Sequence, residues 1–446
     1  MIEKLRAEMR QQSAGDVARA LTLLASRGDI TPGQRLPTVR AVAWGLGMSS
    51  STVGEAWRSL AAHGVLDTQG RRGTFLRASY GDGSVRHFRH INEVPVSVDL
   101  STGYPDPELL LDLRPFIAEV ARGPRYDGYP DSVVHETLRA LLSDSLPFEP
   151  PSLALGTDVL LTMAELLPIL TRYGDRAVVG AAEFAPYLDL FERHGVELAP
   201  VHHDDEGLDL EGLHAAIRAG AALVLLQPRV HNPTGGITSP KRLKAIAEVC
   251  RESDTFILEI DHFGGLASSP PMTAAAQAPD QTIHLRSFSK DLHPDLRVCV
   301  IAGPHSVLDR LQERRVGGSW ISGVNQRLLA ALLASQEVPE LIRRSKAAYR
   351  DRRNAFVEGL AEHGVVVPSR DGFNVWIPVR SEESALVYLA ARGIGAAPGS
   401  PFIANAMVGA HLRVSIAAMR DRHRELAKII AEAATLRRLG AYEPRH

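Results

Sequence analysis

LRSFSKDLHPDLRVCVIAG, residues 285–303, decides how most of this chain folds. Its second half, LRVCVIAG, reads as a buried strand, and its first half continues TIHL into another strand that ends at Lys290. Outward from it, similar apolar runs recur: RAVVGAA, VELAPVHH, AALVLLQP and DTFILEID. Amphipathic helices separate several of them, for example SPKRLKAIAEVC, where Ser239 is a natural N-cap and Pro240 sits in the first turn. Continuous apolar strands with helices between them argue an α/β fold with a mostly parallel sheet covered on both faces. Ligands of such sheets bind at the carboxyl ends of the strands.

Three strand ends carry chemistry. One runs into Asn232-Pro233-Thr234-Gly235, one ends in Asp261, and one ends in Lys290 with Arg297 beyond it. Taken singly, each has an ordinary reading as a turn, a cap or a solvent cation. Together they match what pyridoxal phosphate (PLP) requires. That cofactor needs an amine for a Schiff base, a carboxylate for its ring nitrogen and a donor near its ring oxygen, with cations and hydroxyls for its phosphate.

On these residues the chain from about Asp99 to Arg413 resembles the fold type I aminotransferases. The resemblance implies that Lys290 forms the Schiff base, that Ser287, Ser289 and Arg297 hold the phosphate, and that Asp261 pairs with the pyridine nitrogen. It also implies that Asn232 bonds the ring oxygen, that Phe184 stacks on the cofactor, and that Arg413 grips an effector carboxylate through a bidentate fork. Phe263 stands among the cofactor contacts where relatives generally have tyrosine. The Gly-Ala/Ser loop that opens a helix onto the phosphate is not evident near residues 155–165, which read as shortened, with Thr162 as a partial substitute. The C-terminal part, from about residue 340 to 446, is expected to form a smaller α+β subdomain.

The first eighty residues read differently. VRAVAWGL is a short helix ended by Gly47, and STVGEAWRSLAAHG is a second with Val53, Ala56, Trp57 and Leu60 on its inner face. VLDTQGRRGTFL makes two short strands around Gly70 to Gly73. Helix, tight turn, helix and hairpin form a winged helix-turn-helix. GDITPGQRLPTVR, LGMSSSTV, LAAHGVL and GRRGTF resemble the GntR-type DNA-binding domain. That resemblance implies that Arg40, Ser49, Ser51 and Thr52 meet phosphates and base edges of double-stranded DNA. It also implies that Arg71, Arg72 and Gly73 set the wing in the minor groove.

Charge agrees with this division. Residues 1–90 hold thirteen Lys/Arg against seven Asp/Glu, and the remainder thirty-seven against forty-five. A basic head on an acidic body points to nucleic-acid contact at the head, although such asymmetry also arises from differently solvated faces. At 446 residues the chain is expected to hold two or three domains. Cys250 and Cys299 make neither a disulfide framework nor a metal quartet, so no metal is expected, and a reducing cytoplasm is the expected compartment. No run reaches the roughly 18 to 20 apolar residues of a membrane span.

The expected organisation is a DNA-binding head (1–78), a Gly-rich polar linker (79–94) and an aminotransferase-like body (95–446). Head and body together resemble the MocR subgroup of GntR regulators, in which the body senses PLP or an amino compound. That resemblance implies a head-to-tail homodimer, with Tyr126 or Tyr129 reaching the partner's cofactor site. A working aminotransferase carrying a DNA-binding head, and a regulator whose PLP site has degenerated, stand as the alternatives.

Overall fold

The cap and stop signals of the head each produce a helix boundary. In the computed structural model the chain is described over residues 1–9, 12–26, 29–31, 33–62, 66–68, 72–76, 96–123, 133–172, 174–315 and 319–437. The expected linker, Arg71, Tyr126 and Tyr129 lie outside these residues. The chain divides into two compact units, Met1–Val85 and Arg86–His446.

In the first unit, helices α1 (Ile2–Glu8) and α2 (Ala14–Ser26) precede a short strand β1 (Arg35–Leu36). Helix α3 (Val39–Leu46) starts where Thr38 accepts the Ala41 amide at 3.2 Å and stops at Gly47, whose φ of 71° suits a residue without Cβ. Helix α4 (Ser50–Ala62) follows, with Ser49 Oγ accepting the Thr52 amide at 3.0 Å. Strands β2 (Leu66–Thr68) and β3 (Thr74–Leu76) join β1 in an antiparallel sheet of order β1-β3-β2. Val53, Ala56, Trp57 and Leu60 are buried against Val17, Leu21 and Val42, so the inner face of α4 is the one the helical spacing selects.

The second unit opens with β4 (Val98–Asp99) and helices α5 (Arg114–Arg122) and α6 (Glu136–Ser145). Then come β5 (Ser152–Gly156), α7 (Val159–Leu170), β6 (Arg176–Gly180), α8 (Ala185–Arg193) and β7 (Glu197–Val201). A hairpin of β8 (His203–Asp204) and β9 (Gly207–Leu208) leads to α9 (Leu210–Arg218), β10 (Ala221–Leu226) and α10 (Pro240–Glu252). Next are β11 (Phe256–Asp261), β12 (Thr282–Ser287), β13 (Cys299–Gly303), α11 (His305–Arg314), α12 (Gly323–Ala334) and α13 (Glu337–Glu362). The last elements are β14 (Asn374–Pro378), α14 (Glu382–Ala390), β15 (Ile394–Gly395), β16 (Ala397–Pro398), β17 (His411–Ser415) and α15 (His423–Ala434).

Seven of these strands form one sheet of order β5-β13-β12-β11-β10-β6-β7. The pairs β12–β11, β11–β10, β10–β6 and β6–β7 are parallel, while β13 runs antiparallel to both its neighbours. Both faces are covered. On one, Leu258 and Ile260 of β11 pack with Met163 of α7 and Leu188 and Phe191 of α8. On the other, Ile257 packs with Leu213 of α9 and Ile246 of α10. The expected α/β fold with a mostly parallel sheet is what forms. A second, antiparallel sheet of order β14-β17-β16 shares a core with α13 and α15, through Phe356, Val375, Val414 and Ile430. Among the described residues, no helix is long and apolar enough to cross a membrane.

Ile301, fully buried on β13, tests this core. Ile301→Ala is expected to destabilise the second unit by about 2–5 kcal/mol in denaturant unfolding, through lost burial plus the cavity left behind.

Candidate functional site

The parallel strands β10, β11 and β12 and the N-terminus of α7 meet around a cavity of about 290 Å³. Ser287 closes β12, and the next turn brings Ser289 and Lys290 to the cavity wall, with Ser287 Oγ 3.0 Å from Ser289 Oγ. Arg297 reaches the same wall from a left-handed backbone position, φ 47°, and pairs with Asp158. Asn232 lines the cavity from the loop after β10, and its buried Oδ1 has no hydrogen-bond partner. Phe184, the residue before α8, lines it as well. Six expected residues therefore share one cavity: Phe184, Asn232, Ser287, Ser289, Lys290 and Arg297.

Lys290 Nζ donates to the Gly103 carbonyl at 2.9 Å and lies 5.1 Å from the centre of the Phe373 ring. Burial, and after it the Arg413 guanidinium, push its amine down to about 8 from the usual 10.5. A lysine held in that range presents an appreciable fraction of neutral, nucleophilic amine near neutral pH.

Asp261 is a correction. It does not line the cavity that Lys290 lines. Its Oδ2 takes Arg229 Nη1 at 2.8 Å, and its Oδ1 accepts the amides of Gly264 at 2.9 Å and Phe263 at 3.3 Å. It borders a separate cavity of about 430 Å³ with Arg229, His284 and Arg286. Burial alone would raise its carboxyl, but Arg286 and Arg229 outweigh it and hold the group well below the usual carboxylate range. The physical reason is the pleat: successive side chains leave a strand on opposite faces, so Asp261 turns away from the face that Ile260 shares with α7 and α8.

The next residue, His262, lines the Lys290 cavity instead, and its Nε2 is buried without a partner. Burial first, and then Lys290, push its imidazole down to about 3, so it is neutral at physiological pH. Sequence reasoning passes over His262; the period-two pattern of FILEIDH is the signal that could find it.

Phe263 is a second correction. It is buried in the core of the antiparallel sheet, its ring 4.9 Å from Phe373, and is not among the lining residues. The phosphate-side helix is a third. Only Thr157 and Asp158 separate β5 from α7, both line the cavity, and Asp158 caps α7 by accepting the Leu161 amide at 2.9 Å. A helix N-terminus does open there, and an anion is stabilised at such an end. Thr162 is not its substitute: it is fully buried, packed so closely that a Cβ on Gly156 would collide with its hydroxyl.

Arg413, on β17, is buried outside the cavity lining. Its Nη2 donates to the Ser101 carbonyl at 2.5 Å, and its guanidinium lies 4.8 Å from the Phe402 ring centre. Burial lowers it to about 10. One strap of chain, Ser101–Gly103, thus offers carbonyls to both Arg413 and Lys290.

In the head, Arg40 is exposed on the first turn of α3. Ser49, Ser51 and Thr52 cluster at the start of α4, Ser49 Oγ lying 2.7 Å from both the Ser51 and the Thr52 hydroxyl. Arg72 is exposed, and Gly73 has a φ of 111°, which favours glycine.

Comparison with known proteins agrees with this two-part architecture. Residues 96–430 match the family described as aminotransferase class I and II, and residues 13–76 match the bacterial regulatory proteins of the gntR family. The chain is 31% identical over 379 residues to the vitamin B6 salvage pathway transcriptional repressor PtsJ of Salmonella typhimurium, covering 82% of this chain and 85% of that one. It is 27% identical to the HTH-type transcriptional regulator TauR of Rhodobacter capsulatus, over 84% of this chain and 86% of that one. Among solved structures, it resembles kynurenine aminotransferase of Pyrococcus horikoshii, with a TM-score of 0.70 at 21% identity, over 76% of this chain and 91% of that one. It is similar also to LysN, the alpha-aminoadipate aminotransferase of Thermus thermophilus, with a TM-score of 0.65 at 22% identity, over 76% and 92%. These last two likenesses concern the fold.

The lowered Lys290 amine has a measurable consequence. Borohydride trapping of a small aldehyde at Lys290, located by peptide mass, is expected to rise with pH through a midpoint near 8 and then level off. An unperturbed lysine would keep rising to a pH of about 10.4.

Proposed function

We propose a PLP-sensing regulator, from the premise that this chain belongs to the aminotransferase class I and II family and to the MocR group of gntR-type transcriptional regulators. It is a transcriptional regulator with an aminotransferase-like domain, and its gntR-type head implies DNA binding. The family binds PLP. When bound, that cofactor supplies an aldehyde, which condenses with a primary amine to form a C=N bond with release of water.

The residues present fit the cofactor. Lys290, with its amine lowered to about 8, is the group for the aldehyde. Ser287, Ser289, Arg297 and the N-terminus of α7 form the anion-binding end. Asn232, whose side-chain amide lines the cavity, offers its Nδ2–H to the ring oxygen, and Phe184 serves the ring face. An anion at Arg297 competes with Asp158 for the guanidinium, so binding there loosens that ion pair. Arg413 is set for an effector carboxylate, which on arrival takes the place of the Ser101 carbonyl.

The observation that carries the proposal is the grouping of Lys290, the serine pair and Arg297 on one cavity wall. PtsJ is named for repression of vitamin B6 salvage, which supports PLP itself as the sensed molecule. In the head, Arg40, Ser49, Ser51 and Thr52 are the proposed contacts of the helix-turn-helix with operator DNA, and Arg71, Arg72 and Gly73 those of the wing. The remaining proposals are a cytoplasmic homodimer, packed head to tail, and a linker over 79–94 between head and body.

Added PLP is expected to give a new absorbance band with wild-type protein and none with Lys290→Ala. The same PLP is expected to change affinity for DNA upstream of the chain's own gene by about 5- to 150-fold, the usual range of coupling between two sites, and to leave the variant's affinity unchanged. A band that survives in Lys290→Ala would refute the assigned amine. DNA binding is expected to weaken linearly in log–log plots against salt, and Arg40→Ala to reduce that slope by about 1 if Arg40 meets a phosphate.

A further inference from the structure

We infer that this chain holds PLP with no carboxylate at the ring nitrogen, and that His262 is the side chain at the end of β11 which faces the cofactor in place of Asp261. The inference rests on the proposal that Lys290 captures PLP.

Asp261 is committed elsewhere. Both its oxygens are bonded, one to Arg229 and the other to the Gly264 and Phe263 amides. Recruiting it would strand Arg229, a buried cation whose remaining bonds go to the Gly264 and Ser269 carbonyls. Losing one partner of a buried ion pair costs about 3–5 kcal/mol. It would also require a one-residue slip of β11, which would put Ile260 and Leu258 on the wrong face of a sheet buried on both sides.

Among the described residues, no other carboxylate is available in the lining. Asp158 is the one carboxylate there, and it is spent on Arg297 and on the N-cap of α7, at the anion-binding end of the cavity. The polar atom that β11 leaves without a partner beside this cavity is His262 Nε2. That ring is neutral at physiological pH, its imidazolium disfavoured by burial and by Lys290, so it can offer a pyridine an N–H hydrogen bond but cannot leave it protonated. Without a protonated ring nitrogen PLP remains an aldehyde that an amine can capture, but it withdraws electrons weakly. Capture without turnover suits a sensor.

The test loads the full chain with PLP carrying ¹⁵N in its ring and reads the nitrogen resonance at neutral pH. The expected position is that of an unprotonated pyridine; a protonated pyridine overturns the inference and leaves the capture by Lys290 standing. If PLP produces no absorbance band at all, the capture itself fails and the inference falls with it. The double variant Arg229→Met/Asp261→Leu removes the ion pair as a unit, an exchange that is often neutral for stability. It is expected to leave both the ¹⁵N position and the PLP dissociation constant within about twofold. A shift of the resonance in that variant would return the role to Asp261. His262→Ala is expected to move the absorbance maximum and to weaken PLP binding about two- to tenfold, the range of an aromatic contact. An unchanged spectrum and affinity would remove His262 from the site.

Discussion

Parallel pairing of β10, β11 and β12 is the constraint from which the site follows. Because the three strands run the same way in adjacent positions, their carboxyl ends fall side by side, and whatever follows each strand is delivered to one place. Asn232, His262 and Lys290 come from loops separated by about thirty residues of sequence, yet line one cavity. The helix α7 adds its N-terminus to the same edge, since two residues are all that separate it from β5. Such an edge collects a lysine amine, a helix dipole and several hydroxyls without any local sequence having to encode their meeting.

The pleat of β11 then decides which side chains count. An ionic cluster grows on the face away from the cavity: Asp261 binds Arg229, Arg286 approaches Asp261 to 3.9 Å, and Arg286 pairs with Asp291. Buried ions of this kind are held only when every partner is present. The cluster holds the Asp261 carboxylate on the face of β11 away from the cavity. The strap Ser101–Gly103 does something similar for the cations. Its carbonyls accept from Lys290 and from Arg413, two buried cations.

The head is almost entirely legible in sequence because its determinants are local. Thr38 caps one helix, Gly47 stops it, Ser49 caps the next and Gly73 shapes the hairpin, each acting within a few residues of itself. In the body the strands and the Lys290 segment are legible for the same reason, being apolar runs with a clear end. Three features are not. The face that Asp261 takes depends on the pleat and on a distant arginine, and Phe263 is core because the antiparallel sheet brings Phe373 against it. The α7 N-terminus is hidden because Thr157-Asp158 lacks the usual glycine and small residue.

By itself the sequence determined that a winged helix precedes an α/β body and that a lysine, two serines and an arginine stand together at a strand end. These follow from periodicity, caps and spacing, which are short-range properties of the chain. Only the tertiary structure decided which of two adjacent residues, Asp261 or His262, reaches the cavity. That choice depends on the register of β11 between β10 and β12, and on Arg229 waiting 32 residues earlier in the chain to claim the carboxylate. Composition names the residues that could do the chemistry, and the buried contacts around each strand select the ones that are free to do it.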